Sequence, residues 1–226
     1  MTFKKNSTYY FSAILFAIYL LGFQSFAQTE NKFTNEVKII TKKNDSIWDS
    51  ERETIVFTGS SSVRFWKTLQ ENFPDHQILN TGFGGSQASD LLIFLDDLVL
   101  SYNPAKVFIY EGDNDLWAKK RPNQVITTTE EIIQRIKAKN TSTKIVLISA
   151  KPSISRWKMR GKFRRLNRKM ERIANNDPSI DYVDVWYPML NSRKVKTDIF
   201  IEDGLHMNQK GYDIWYEAMK ELVNNP

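Results

Sequence analysis

The 226-residue chain carries 41% hydrophobic residues, with six Trp, nine Tyr and fourteen Phe. That suffices for one packed domain, is short for two, and excludes a disordered chain. The formal charge of +6 is too weak to imply a nucleic-acid partner by itself, and the absence of cysteine excludes disulfides, thiolate metal sites and a lipidated N-terminal cysteine.

Lys4 and Lys5 give a positive start, residues 9–23 are almost uniformly apolar, and Ser25-Phe26-Ala27 places small residues where a signal peptidase reads. Residues 1–27 are therefore expected to be a signal peptide cleaved after Ala27, with export to the periplasm or the exterior. The apolar run is short for a span of ~20 residues, which argues against a retained anchor. Without the two leader lysines the chain keeps 30 basic and 26 acidic residues, a net charge of +4.

Residues 28–52 are polar and read as a linker or N-terminal extension ending in a short segment packed by Ile47 and Trp48. From residue 53 to 226 short apolar runs alternate with longer segments of helical spacing. Strands are expected at 54–57, 77–79, 106–110, 144–148 and 181–185, and helices at 63–73, 89–102, 123–139, 157–174 and 209–223. Continuously apolar strands alternating with helices predict an α/β domain, a three-layer αβα sandwich on a parallel sheet. Ligands of such sheets bind beyond the carboxyl ends of the strands, so the loops there carry the chemistry.

Thr58-Gly59-Ser60-Ser61-Ser62 follows the first strand and opens a helix. A serine there is either a cap or a hydroxyl held beside unpaired backbone N–H groups. After the second strand, Gly82-Phe83-Gly84-Gly85 suits a tight turn, a phosphate cradle or an N–H aimed at an oxyanion, but it lacks the third glycine of a dinucleotide fingerprint. After the third, Glu111-Gly112-Asp113-Asn114-Asp115-Leu116-Trp117 fails calcium-loop spacing, whereas the Asn114 amide can donate to developing negative charge or simply tolerate a turn. The last loop holds Asp203-Gly204-Leu205-His206, in which Asp203 can reach and orient the imidazole. The other histidine, His76, enters the second strand at the opposite end of the sheet and is expected at the surface.

These four loops together resemble the SGNH hydrolases, the GDSL-type esterases and lipases, over about residues 53–223. The resemblance implies a flavodoxin-like five-stranded sheet of order 2-1-3-4-5. It implies Ser61 as nucleophile, His206 as base and Asp203 as its orienting acid. The oxyanion donors it implies are Gly85, Asn114 and the Ser61 backbone N–H. The family's first block usually reads Gly-Asp-Ser; here Ser60 replaces the Asp, and Ser62 is left a capping role. The chain lacks the Gly-x-Ser-x-Gly of α/β-hydrolases. Neither a cofactor nor a metal is implied. Neutral imidazole must accept the serine proton, so activity is expected to fall in acid.

Residues 151–172 hold ten Lys and Arg against Glu171, over an apolar stripe at Met159, Phe163, Leu166, Met170 and Ile173. This reads first as a core-facing helix with a solvated basic face, and alternatively as a contact for a polyanion or a membrane surface. Trp117 and Trp157 are candidates to line the substrate pocket, and equally candidates for the core. The expected function is a secreted esterase acting on a small acyl ester such as acetyl, on a carbohydrate. The alternatives are a lysophospholipase, lipase or thioesterase of the same family, or a non-catalytic glycan-binding module.

Overall fold

The structure is a computed structural model that describes residues 31–225. The expected signal peptide lies outside the described residues. The compact unit treated below is Asn35–Pro226, with Thr34 opening its first helix.

In chain order its elements are α1 (Thr34–Asp45), β1 (Thr54–Gly59), α2 (Ser61–Arg64), α3 (Leu69–Asn72), β2 (Gln77–Asn80), α4 (Ala88–Ile93), α5 (Leu95–Leu98), β3 (Lys106–Tyr110), α6 (Asp113–Trp117), α7 (Pro122–Lys139), β4 (Lys144–Ile148), α8 (Arg160–Asn175), β5 (Ile180–Val183), β6 (Leu190–Asn191), β7 (Lys194–Val195) and α9 (Gln209–Asn224). The first five strands form one parallel sheet of order β2-β1-β3-β4-β5, as the family resemblance implies. Every residue of β1 and β3 is buried, because helices cover both faces and neither strand has a solvated side.

Alternation along the strands divides the core. Ile55, Phe57, Ile78, Phe108, Tyr110, Val146 and Ile148 face Trp66, Tyr212, Trp215 and Met219. Phe57 and Phe108 stack across β1 and β3 with centroids 4.2 Å apart, and the Trp66 and Trp215 rings meet edge to face at 5.9 Å. The intervening Val56, Val107, Ile109, Ile145 and Leu147 are buried on the opposite face.

The structure departs from the expected elements in five places. The segment expected as one helix over 63–73 is two single turns, α2 and α3. The chain leaves the helix where Trp66 turns into the aromatic core and its indole N–H donates to Asn72 Oδ1 at 2.9 Å. The 89–102 helix breaks at Phe94, which packs edge-on to Phe83. β5 stops at Val183 because the Val185 N–H goes to Ser149 Oγ and the Trp186 N–H to Asp184. A small hairpin, β6–β7, lies between β5 and the histidine loop. Finally, part of the expected linker is α1, and Ile47 is 58% exposed while Trp48 alone packs, edge-on to Tyr102. α1 docks through buried Val37 and half-buried Ile40 together with polar groups: buried Asn44 donates from Nδ2 to the Asn80 carbonyl at 3.1 Å. Its apolar stripe is only these two residues, set among lysines and an exposed Ile39, and is too short to reveal a core helix in sequence.

Candidate active site

β1 ends at Gly59, whose φ of +128° is closed to other residues; a Cβ there would lie 2.0 Å from the Tyr110 carbonyl oxygen. This close approach brings the start of α2 against the end of β3. The Ser60 N–H donates to the Tyr110 carbonyl at 3.1 Å, and the Ser60 carbonyl accepts from Val63 and Arg64. The cap position is thus Ser60, acting through its backbone, and its side chain makes no capping bond. The capping role left to Ser62 is not what the structure shows: Ser62 sits inside α2, buried, and its carbonyl accepts from the Tyr212 hydroxyl.

Ser61, the first residue of α2, meets the last loop. Its Oγ lies 3.0 Å from His206 Nε2, and His206 Nδ1 lies 2.5 Å from Asp203 Oδ2. A carboxylate only accepts, so Nδ1 carries the proton and the Nε2 lone pair faces the serine hydroxyl. Asp203 Oδ1 accepts from the N–H groups of Leu205 at 2.8 Å and His206 at 2.9 Å. Partial burial opposes ionisation of Asp203, but these donors and the imidazole outweigh it and hold the carboxyl below the usual carboxylate range. Phe65 packs its ring edge-on to His206 at 5.0 Å. His76, at the other end of the sheet, bonds Asn224.

Gly85 has φ of +76° with nothing within 4 Å of its Cβ position, so its conformation alone calls for glycine, and the space beside it is open. Asn114 Nδ2 donates one hydrogen to the Ser86 carbonyl at 2.9 Å, and its Oδ1 accepts from Arg156 Nη2 at 3.0 Å. The amide orientation is therefore fixed from both ends, and its second N–H is left to donate elsewhere.

Four charged residues missed in the sequence hold this edge together. Glu36 on α1 accepts from the Gly84 N–H at 2.9 Å and from Arg64 at 3.0 Å, tying the glycine loop to the serine helix. Glu111 accepts from Ser86 Oγ at 2.6 Å. Arg156 pairs with Asp113, and Lys151 Nζ lies 3.7 Å from the same carboxylate while donating to the Leu205 carbonyl at 2.6 Å. Lys151 and Arg156 are buried, so these two members of the basic segment are not on a solvated face. Three acids directly after the apolar run 107–110 were the available signal, since a buried carboxyl group must either be paired with a cation or keep its proton. Asp115 accepts from the Ala88 N–H at α4 and pairs with Lys120. Among the described residues, no group of three His, Cys, Asp or Glu is placed to hold a metal ion.

Trp117 is 58% exposed and carries the Arg156 guanidinium 5.2 Å from its ring centroid, which puts it beside the Asn114 donor. Trp157 instead stacks on Trp186 at 6.0 Å, in a groove that none of the triad lines. A cavity of about 610 Å³ lies between α1 and the α2–α3 segment and is not lined by Ser61, Asp203 or His206. The Asp203 and His206 side chains are themselves part-exposed.

The chain belongs to the GDSL-like lipase/acylhydrolase family, whose pattern it matches over residues 45–214. It is accordingly an ester-cleaving hydrolase. It is similar to an N-acylneuraminate cytidylyltransferase from Escherichia coli, 25% identical over 191 residues, which covers 82% of this chain but only 43% of that protein. It is also similar in fold to a protein of Bacteroides fragilis whose proposed activity is acylhydrolase, with a TM-score of 0.74 at 21% identity, covering 86% of this chain and 98% of that one. A catalytic mutant of an acetylxylan esterase from Geobacillus stearothermophilus gives a TM-score of 0.65 at 17% identity, covering 77% and 95%.

Two outcomes are expected from the supporting acids. Burial, reinforced by the Asp115 charge, pushes the Glu111 carboxyl well above the usual range, and its Oε2 has no partner among the described residues. The folded chain therefore keeps this proton above about pH 4.3, where the unfolded chain has lost it, and stability falls as pH rises from there through the folded pKa. Glu111→Gln removes that dependence, so the excess of its melting temperature over that of the original chain should widen from about pH 5 to about pH 8. A gap constant with pH would contradict this. Glu36→Ala should lower kcat on p-nitrophenyl acetate by roughly ten-fold with KM little changed, because the glycine loop loses its anchor while the fold is retained. Steady-state kinetics reads this directly, and an unchanged kcat would count against the anchor.

Proposed function

We propose that the chain is an exported serine esterase that removes a small acyl group, such as acetyl, from a carbohydrate by way of an acyl-Ser61 intermediate. The observation that carries this reading is the unbroken relay from Ser61 Oγ through His206 to Asp203. His206 Nε2 takes the Ser61 proton as Oγ attacks the ester carbonyl carbon. The resulting oxyanion is held by the N–H groups of Ser61 and Gly85 and by the free hydrogen of the Asn114 amide. Collapse expels the alcohol, which takes the proton from His206. A water then passes its proton to His206 and attacks the acyl carbon; the acid leaves and Ser61 recovers its hydrogen. Asp203 keeps its charge throughout and stabilises the imidazolium.

The carbohydrate part of the reading is supported by the part-exposed triad, open to a bulky polymer, by Trp117 at its rim, and by the fold shared with the acetylxylan esterase. Cytidylyl transfer is not carried over from the E. coli relative, since the chain spans less than half of that protein. Export is supported by the basic, apolar and small-residue stretches of residues 1–27.

Ser61→Ala and His206→Ala should each cut p-nitrophenyl acetate turnover by ~10⁴-fold or more, and Asn114→Ala by ~10²–10³-fold. Retention of full turnover by Ser61→Ala would overturn the assignment. In the same assay the acetyl ester should be cleaved faster than the lauroyl ester; the reverse order would favour a lipase.

A further inference from the structure

A second feature lies along the N-terminal half of α8 and takes no part in the acyl-transfer chemistry. A groove of about 600 Å³, within the size range of small-ligand sites, is lined by Trp157, Arg160, Arg164, Trp186, Tyr187 and Arg193, and no carboxylate contributes to its wall. Arg164 and Arg193 make no ion pair among the described residues. Arg160 is held by an aromatic ring instead of an acid: its guanidinium lies 5.4 Å from the Trp157 centroid, and Trp157 is stacked on Trp186 with 14° between the planes. Tyr187 is 63% exposed, an aromatic face open to solvent. Glu171 and Asp184 line an adjoining cavity that shares Arg164, Trp186 and Tyr187, but neither lines this groove, whose own wall of three guanidinium groups is complementary to an anion.

The chemistry narrows the anion. The cations are all arginines, whose planar forks pair bidentately with carboxylates and phosphates alike, so the discrimination comes from what lies beside them. The exposed aromatic face suits the apolar face of a pyranose ring. The cations surround a compact cavity, unlike the line of contacts that a nucleic-acid backbone requires. The groove is tied to the reacting centre along the chain. Trp157 directly follows Arg156, whose guanidinium holds Asn114, and the Ser155 N–H donates to the Gly204 carbonyl in the histidine loop.

We propose that this groove is a subsite for a carboxylated glycan, a chain containing uronic acids, with sugar carboxylates on Arg164 and Arg193 and a ring on Tyr187. Its place on the alcohol side of the ester rests on the esterase reading; the binding itself does not.

The test separates the two. Full-length Ser61→Ala protein, which cannot turn substrate over, is titrated calorimetrically at about physiological salt with short oligogalacturonate, with neutral xylo-oligosaccharide, with oligo-dT and with phosphatidylglycerol vesicles. Oligogalacturonate is expected to bind best. Adding Arg164→Ala and Arg193→Ala together should weaken it at least ten-fold, and Tyr187→Ala should weaken it further. The same two arginine substitutions in the otherwise unchanged chain should leave p-nitrophenyl acetate turnover intact, which reports folding and the serine site independently. Equal binding of neutral oligosaccharide, tighter binding of oligo-dT or vesicles, an affinity unmoved by the arginine substitutions, or no binding at all would each overturn the proposal. Absence of turnover in the unsubstituted chain with oligogalacturonate binding intact would instead reject the esterase reading and leave the subsite standing.

Discussion

The arrangement of this edge of the sheet turns on one buried carboxylate. Asp113 heads α6 beyond β3 with almost no access to water, and it is answered by Arg156, by Lys151 and by the Tyr110 hydroxyl. A buried charge must be paired, and removing one partner of such a cluster typically costs ~3–5 kcal/mol. The partners chosen here do more than neutralise it. Arg156 passes its second nitrogen to Asn114, and Lys151 donates to the carbonyl just before His206. The need to compensate one acid thus ties the β3 loop, the β4 loop and the histidine loop into a single unit, and it orients one proposed oxyanion donor while it supports the proposed base.

The glycine loop after β2 is fixed by a separate set of contacts. Glu36 reaches it from α1, and Glu111 reaches it from the end of β3 through the Ser86 hydroxyl, whose residue's carbonyl in turn accepts from Asn114. The open turn at Gly85 is therefore bracketed by anchored residues. Donors that must meet charge only in the transition state gain from being held in advance.

The sheet was legible in the sequence because both faces of β1 and β3 are covered, which leaves continuous apolar runs such as Ile55-Val56-Phe57. The loops that carry Ser61, Asn114 and His206 were legible because each directly follows such a run or precedes a well-patterned helix, and because their order matches a known family. The structure brings Ser61, His206 and Asp203 into contact and sets Asn114 against the glycine loop. What stayed hidden depends on tertiary pairing. Lys151 and Arg156 looked like members of a basic face, since nothing in a linear charge count shows that they turn inward to Asp113. α1 looked like a linker because its apolar face is only Val37 and Ile40, and the rest of its docking is done by Glu36 and Asn44. Trp66 broke an apparently regular helix because its indole has a partner in Asn72 and a place among Phe57 and Trp215.

The central claim is that the acyl group passes through Ser61 with His206 as base. Rapid acid quenching during turnover of p-nitrophenyl acetate, followed by peptide mass spectrometry, tests it most directly. An acetyl adduct is expected on Ser61 alone, absent when His206 is replaced by Ala. An adduct on Ser60 or Ser62, or undiminished labelling of Ser61 without His206, would contradict it.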